Sequence, residues 1–456
     1  MQIPKSNVDG IVFPGLASGR TASMTALQLQ LEQTQWLPEE ELLQYQLRQL
    51  ERLLDHAFRT SPYYNQKLRK LDLRRARRLT PELWWTLPVL SRAELQSAGS
   101  ALNSQRVPAS HGKVCSTSSS GSVGRPITVN KTMLCQFLFG ACTNRDHLWH
   151  QRNFEKTVAV IRHTSNEAAA RPPGAKSRNW GDLTHLLYPT GPSVVLHSKT
   201  DIDVQAQWLK DLKPTYFLSY PSLIQELARY FIAEKLDLPS LHHVTTFGEA
   251  LGGETRELCR EAWDRDIVDM YSSQETGYLA LQCPKHEHYH VQSENALVEV
   301  LKDDGAPCRP GEFGRVVVTV LHNFATPLIR YEIGDYAEVG EPCDCGRGLP
   351  VLKQVLGRTR NMLVLPDGKV RRPSVGIRNF EKIAPVRQAQ LIQHDIETVE
   401  ANLVTDDPLS PDQEQRLAKM IQDEMGHPFE IKLTYLDEIP RGPTGKYEDF
   451  VSRVTR

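Results

Sequence analysis

Long apolar runs are missing from this chain of 456 residues. No stretch approaches the length of about 18 apolar residues that a membrane-crossing helix needs, so no segment is expected to span a bilayer. The opening residues, Met1-Gln2-Ile3-Pro4-Lys5-Ser6-Asn7, hold no hydrophobic signal core, and the cytoplasm is the expected compartment. An excess of one charge is missing too. Lys and Arg number 54 against 55 Asp and Glu, for a formal net charge of −1. That balance supplies no bulk field for a nucleic-acid or membrane partner. The run from Lys67 to Arg78 is locally basic and reads as a solvated helix face. Cysteine is sparse: eight in the chain, several clustered, unlike a secreted disulfide framework. No internal repeat is visible.

What is present is length and alternation. A chain of this size can bury a large core and should form two or more domains. Leu42, Leu43, Leu47, Leu50, Leu53, Leu54 and Ala57 form a helical stripe within 38–58. Short apolar runs at 157–161, 193–196, 215–218, 244–247 and 267–270 read as buried strands. Helical stretches such as 220–234 and 255–263 lie between some of them. This alternation predicts an α/β fold with a parallel sheet and crossover helices, and ligands at strand ends. From 291 to 339 the pattern turns β-rich, with 315–321 the clearest strand. After Gly357 a smaller α+β unit follows, with a strand at 398–404, a helix at 411–425 and a strand at 430–436. The segment 166–179 reads as a mobile loop near the substrate side.

Two segments point to chemistry. Near the C-terminus stands Pro440-Arg441-Gly442-Pro443-Thr444-Gly445-Lys446. Its prolines preset φ and its glycines permit turns closed to other residues, so the loop can present one ammonium group at a defined place. An exposed turn with a solvated lysine is the plainer alternative. It is not a Walker A loop, because Tyr447 follows the lysine and the first glycine is absent. Far upstream lies Ser116-Thr117-Ser118-Ser119-Ser120-Gly121-Ser122-Val123-Gly124-Arg125-Pro126. Backbone N–H groups of a Gly-rich loop form an anion nest and hydroxyls add donors, which suits a pyrophosphate; a flexible linker is the alternative.

Together these segments resemble the adenylate-forming superfamily of acyl-CoA ligases, luciferase and adenylation domains, most closely its phenylacetate-CoA ligase branch. The resemblance covers most of the chain, with motifs in family order. Ser119 to Pro126 matches the phosphate loop T/S-S-G-T-T-G-x-P. Gly248-Glu249 is similar to an adenine-binding Gly-Ala-Glu segment. Tyr271-Ser272-Ser273-Gln274-Glu275 matches Tyr-Gly-x-Thr-Glu. Leu328 to Asp335 matches L-I-R-Y-R-T-G-D, Gly357 to Met362 matches G-R-S-D-D-M, and Pro440 to Lys446 matches P-R-x-P-x-G-K.

The resemblance implies a large multi-sheet N-terminal domain over 1–358, binding nucleotide and acid. It implies a small mobile lid domain over 359–456 that carries the catalytic lysine. The implied reaction is AMP-forming activation of a carboxylic acid, aromatic in this branch, then transfer to coenzyme A. Transfer to an amine, a hydroxyl or a carrier-protein thiol is the alternative. A nucleotide-binding regulator without activity is a third reading. ATP would lie on Ser119, Ser120, Gly121, Ser122 and Gly124, with Gly248, Glu249 and Ser272 beside the adenine. Tyr271 would stack on the base and Asp335 would accept both ribose hydroxyls. Glu275 would hold Mg²⁺, Arg358 would pair with the nucleotide, and Lys446 would bridge the substrate carboxylate and the α-phosphate. Val123, Gln274, Glu332-Ile333 and Arg360 depart from the family pattern; Arg360 stands at the inferred hinge. A homodimer is compatible with this reading.

A separate cluster concerns metal. Cys343-Asp344-Cys345-Gly346-Arg347 lies about 60 residues after Cys283-Pro284-Lys285-His286-Glu287-His288-Tyr289-His290. Two short Cys/His clusters of this kind are the usual source of a tetrahedral Zn²⁺ site. Free thiols beside surface histidines are the alternative from pattern alone. The resemblance selects Cys283, His290, Cys343 and Cys345 as ligands of a structural zinc, with His286 the second choice of histidine.

Overall fold

The computed structural model describes residues 5–9, 11, 13, 15–69, 78–118, 126–373, 376–442 and 447–454. The chain divides into two compact units, Met1–Val355 and Leu356–Arg456. The fold is of the α/β class expected from the alternation.

A twelve-stranded sheet organises the first unit. Five strands run parallel, side by side: Ile267–Ser273, His243–Phe247, Tyr216–Ser219, Val158–Arg162 and Ser193–His197. Helices Ile202–Leu212, Pro221–Ala233 and Gly253–Trp263 connect successive members. Helix Pro221–Ala233 starts with its proline in the first turn, where a missing N–H costs nothing. It buries Leu223, Ile224, Leu227, Ala228 and Phe231 in one core with Phe217, Val244 and Ile267 of the strands. Nearly every residue of these strands is buried or half-buried, so they read as apolar runs rather than alternating ones.

One expectation changes. The stretch 166–179 holds a short edge strand, Ala175–Ser177, antiparallel to Ser193–His197, and a 3₁₀ turn at Glu167–Ala169. Three polar or small residues after Pro172-Pro173 carry no alternation signal, so the strand was invisible in the sequence. Of the basic run, Lys67 pairs with Glu94 at 2.6 Å, and 70–77 lie outside the described residues.

The other half of the sheet is ordered Gly277–Gln282, Tyr289–Val291, Val351–Arg358, Tyr331–Val339, Phe313–Val320, Ala296–Leu301. Helix Glu39–Thr60 shares a core with it through Leu47, Leu50, Leu53, Leu54 and Ala57. Gln46 donates to the Ser293 carbonyl at 2.7 Å and Gln49 to that of Leu321 at 3.1 Å. Arg330, from the L-I-R-Y motif, has a left-handed backbone at φ 47° and is buried. Its guanidinium grips Glu299 with two nitrogens and donates to the Trp85 and Leu87 carbonyls. This arginine therefore ties the 85–90 segment to the sheet, where Leu90 bridges Tyr331.

The second unit is a four-stranded sheet ordered Glu430–Tyr435, Thr398–Thr405, Val386–Gln393, Phe450–Ser452. Helix Pro411–Met425 is bounded by a capping box between Ser410 and Gln413 and by a left-handed Gly426. It buries Leu417, Ile421 and Met425 with Val399, Ala401 and Leu403.

A buried polar cluster lies where helix Met133–Trp149 ends. Arg152 binds Asp146 and donates to His147 Nδ1 at 2.8 Å and Thr245 Oγ1 at 3.2 Å. Burial, and next the Arg152 charge, push His147 down to about 3 and His243 down to about 4. Both rings are neutral when folded and protonate near their ordinary 6.5 when unfolded. The unfolded chain thus binds more protons below pH 6.5, and stability is lost as pH falls from there toward 4. The expected slope is at most about 1.4 kcal/mol per pH unit for each ring, less for the half-buried His243. A urea midpoint flat across this window would contradict it; His243→Gln should reduce the slope.

Candidate active site and metal centre

The C-terminal ends of two parallel strands carry Gly248, Glu249, Tyr271, Ser272 and Glu275, as expected of ligand sites in such sheets. Strand His243–Phe247 runs into Gly248, which needs its φ of 79° to turn the chain. Glu249 follows. Its carboxylate accepts from the Ser222 backbone N–H at 2.9 Å and from the Ser222 hydroxyl at 3.1 Å. Ser222 opens helix Pro221–Ala233, so Glu249 places its negative charge on a helix N-terminus. The Gly248 turn is thereby fixed to the neighbouring crossover.

Tyr271 and Ser272 lie in strand Ile267–Ser273, and Asp335 lies in strand Tyr331–Val339. The Tyr271 hydroxyl donates to Asp335 Oδ2 at 2.7 Å, and both residues are buried. Two motifs 64 residues apart thus meet through one hydrogen bond. Gly334 beside Asp335 has φ 85°, which kinks the strand at the acid.

Glu275 sits in the turn between Ile267–Ser273 and Gly277–Gln282. The turn is held by Ser273, whose Oγ accepts from the Thr276 N–H at 3.1 Å. Glu275 is only 3% exposed, and its Oε1 has no hydrogen-bond partner among the described residues. A buried carboxylate oxygen without a partner is costly, and a hard cation would satisfy it. The donor chemistry fits Mg²⁺.

Arg358 ends strand Val351–Arg358 within the second unit, and Arg360 follows it in a 3₁₀ turn, paired with Glu448. Ser119, Ser120, Gly121, Ser122 and Gly124 lie outside the described residues, as does Lys446. Their flanks are described: strands Val114–Ser118 and Thr128–Thr132 pair antiparallel on either side of the phosphate-loop sequence.

The Cys/His segments come together although they are 60 residues apart. Cys283 Sγ and Cys343 Sγ are 3.8 Å apart, and Cys345 Sγ is 3.4 Å from His290 Nε2. Ligand atoms of Cys283, His288, His290 and Cys343 all lie within 4.8 Å of one another. His286 lies beside Asp344 at 2.5 Å, and the ligand atoms of these two and Cys343 form a second group within 4.8 Å. His288 was passed over in the sequence, yet a signal existed: His286, His288 and His290 alternate, which puts them on one face of an extended chain. Burial lowers His290 to about 4, leaving the neutral, ligating form. Its Nδ1 faces the Leu349 carbonyl at 3.3 Å, as an outer partner that orients a ligating ring would. Arg347 steadies the second segment. Its guanidinium lies 4.9 Å from the Trp36 ring and 4.4 Å from the Trp149 ring, and it donates to Cys345 Sγ at 3.5 Å. The donor set suits Zn²⁺.

Comparison with known proteins places this geometry. Residues 183–324 match the AMP-binding enzyme family, and residues 364–453 match the CapK C-terminal domain. Phenylacetate-coenzyme A ligase of Thermus thermophilus is 26% identical over 349 residues, spanning 72% of this chain and 73% of its own. A solved structure of 2-hydroxyisobutyryl-CoA ligase in the postadenylation state shares the fold with a TM-score of 0.73. It is 17% identical, over 92% of this chain and 91% of that chain. Amide bond synthetase McbA from Marinactinospora thermotolerans matches with a TM-score of 0.50 and 18% identity, over 73% of this chain and 67% of that chain.

Proposed function

We propose that this chain, which belongs to the adenylate-forming superfamily and within it to the phenylacetate-CoA ligase-like branch, activates a carboxylic acid with ATP and passes the acyl group to coenzyme A. The observation that carries the reading is the buried bond from Tyr271 to Asp335, which unites the proposed adenine and ribose residues.

In the first half-reaction a carboxylate oxygen attacks the α-phosphorus. A new P–O bond forms, the bond to the bridging oxygen breaks, and pyrophosphate leaves. Both reactants are anions, so the protein's task is positioning and charge neutralisation. Tyr271 would lie against the base while its hydroxyl orients Asp335 toward the ribose. Glu249 would hold the Gly248 turn, whose main chain meets the adenine. Mg²⁺ on Glu275 would supply positive charge at the phosphates. Arg358 and Lys446 are assigned to the nucleotide and to the α-phosphate on their motifs. In the second half-reaction a thiolate attacks the acyl carbon and AMP leaves. A structural zinc on Cys283, Cys343 and His290, with Cys345 or His288 as fourth ligand, would clamp the two segments.

The branch's name favours an aromatic acid. An amine as final acceptor is the second reading, favoured by the fold likeness to an amide bond synthetase. Pyrophosphate release across a panel of aryl and alkyl acids, each with and without coenzyme A or simple amines, separates these outcomes. Acid-dependent release is expected, with an aryl thioester as product in the presence of coenzyme A. No release with any acid would overturn the proposal.

A further inference from the structure

We propose that Lys131 is a second phosphate-binding residue of this site, one that takes the polyphosphate end of ATP that AMP lacks. The inference rests on the ATP reading above.

Lys131 belongs to the hairpin whose connection carries the phosphate-loop sequence. Ser118 stands opposite Thr128 at the loop end, and Cys115 stands opposite Lys131 three pairs further down. Opposed residues and alternate positions share one face of an antiparallel ladder. Cys115, Thr117, Val129 and Lys131 therefore share a face. The more exposed positions Val114, Ser116 and Ser118 are on the other. Thr117 shows where the inner face points: its hydroxyl donates to Gln274 Oε1 at 3.4 Å, and Gln274 adjoins Glu275. The hairpin is fixed in that orientation from behind, by Asn130 N–H donating to Thr326 Oγ1 at 3.0 Å.

The charges fit this placement. Lys131 is half-buried, and burial lowers its pKa, with Cys135, Glu275 and Cys115 acting in the opposite sense. Its ammonium is thus partly stripped of water and lies within the electrostatic reach of the carboxylate that has a buried, unpartnered oxygen. A simple Lys131–Glu275 ion pair would set the lysine in competition with the cation that Glu275 is suited to bind. A polyanion resolves the conflict. Two cations around one triphosphate attract it and are screened from each other by it, the arrangement common to enzymes that transfer phosphoryl and nucleotidyl groups. Glu275 would contribute its metal, and Lys131 a fixed positive charge at the foot of the hairpin.

The test is calorimetric binding of ATP and of AMP, each with Mg²⁺ and no acid, to wild type, Lys131→Met and Lys131→Arg. The expected result is a loss of about tenfold or more in ATP affinity for Lys131→Met, with AMP affinity unchanged and ATP affinity largely restored in Lys131→Arg. Equal losses for ATP and AMP would make Lys131 a structural residue and overturn the inference, as would an unchanged ATP affinity. Thermal unfolding without nucleotide checks the fold, and Lys131→Gln gives the same reading should the methionine variant not fold. Wild type that binds neither nucleotide would sink the ATP reading itself. Wild type and Lys131→Met that bind ATP alike would sink only the role of Lys131.

Discussion

Lys446→Ala should cut acid-dependent pyrophosphate release by about 10²–10³, the loss typical of removing one preorganised charge donor. ATP affinity should barely change, because the polyphosphate is assigned to other groups and the lysine to charge that develops at the α-phosphorus. The sequence around it is built for placement: Pro440 and Pro443 preset φ, and Gly442 and Gly445 allow tight turns. Lys446→Arg should recover little, since a planar fork does not replace a compact ammonium. A rapid-quench measurement of adenylate formation gives the effect free of product release. Wild-type turnover in Lys446→Ala would remove the lysine from the mechanism.

Metal removal should have the second large effect. The purified protein is expected to carry about one zinc per chain, the content of one closed tetrahedral site. Cys343→Ser should lose zinc and stability together, because such a metal contributes directly to folding. Comparing Cys345→Ser with His288→Asn identifies the fourth ligand: the substitution that lowers zinc content touches it. Activity of whatever protein remains folded should stay near wild type, since none of these residues is assigned to the nucleotide. Protein produced with ample zinc yet free of it would leave four thiols and rings packed together without a metal.

Sequence reading succeeded where one local force dominates. The helix expected near 411–425 is there as Pro411–Met425, held at its ends by Ser410, Gln413 and Gly426 and buried through Leu417, Ile421 and Met425. The parallel strands were visible as apolar runs because nearly all of their residues are buried or half-buried. Long-range outcomes were not visible. Nothing near Tyr271 says that its hydroxyl will meet Asp335, and nothing near Glu249 says that its carboxylate will hold a helix start at Ser222. The edge strand Ala175–Ser177 exists because Ser193–His197 offers it a free edge, not because its own residues favour extension. In the metal cluster, spacing nominated the segments, but only folding gathers His288 with Cys283, His290 and Cys343, and His286 with Cys343 and Asp344. The proposed role of Lys131 could not be read locally, because it depends on Gln274 and Glu275, far downstream in the sequence.

The bond from Gln49 to Leu321 spans 272 residues. A ribosome adding roughly 5–20 residues per second needs on the order of 15–55 s to make that much chain. For most of that interval, until the strands from Gly277–Gln282 onward are made, the stripe of helix Glu39–Thr60, with Leu47, Leu50, Leu53, Leu54 and Ala57, lacks the sheet that shares its core. The parallel half, made meanwhile from contiguous strands and crossovers, can assemble first. The nascent chain therefore exposes the apolar face of helix Glu39–Thr60 well before the strands that cover it exist, and a chaperone that binds such faces has its opportunity there.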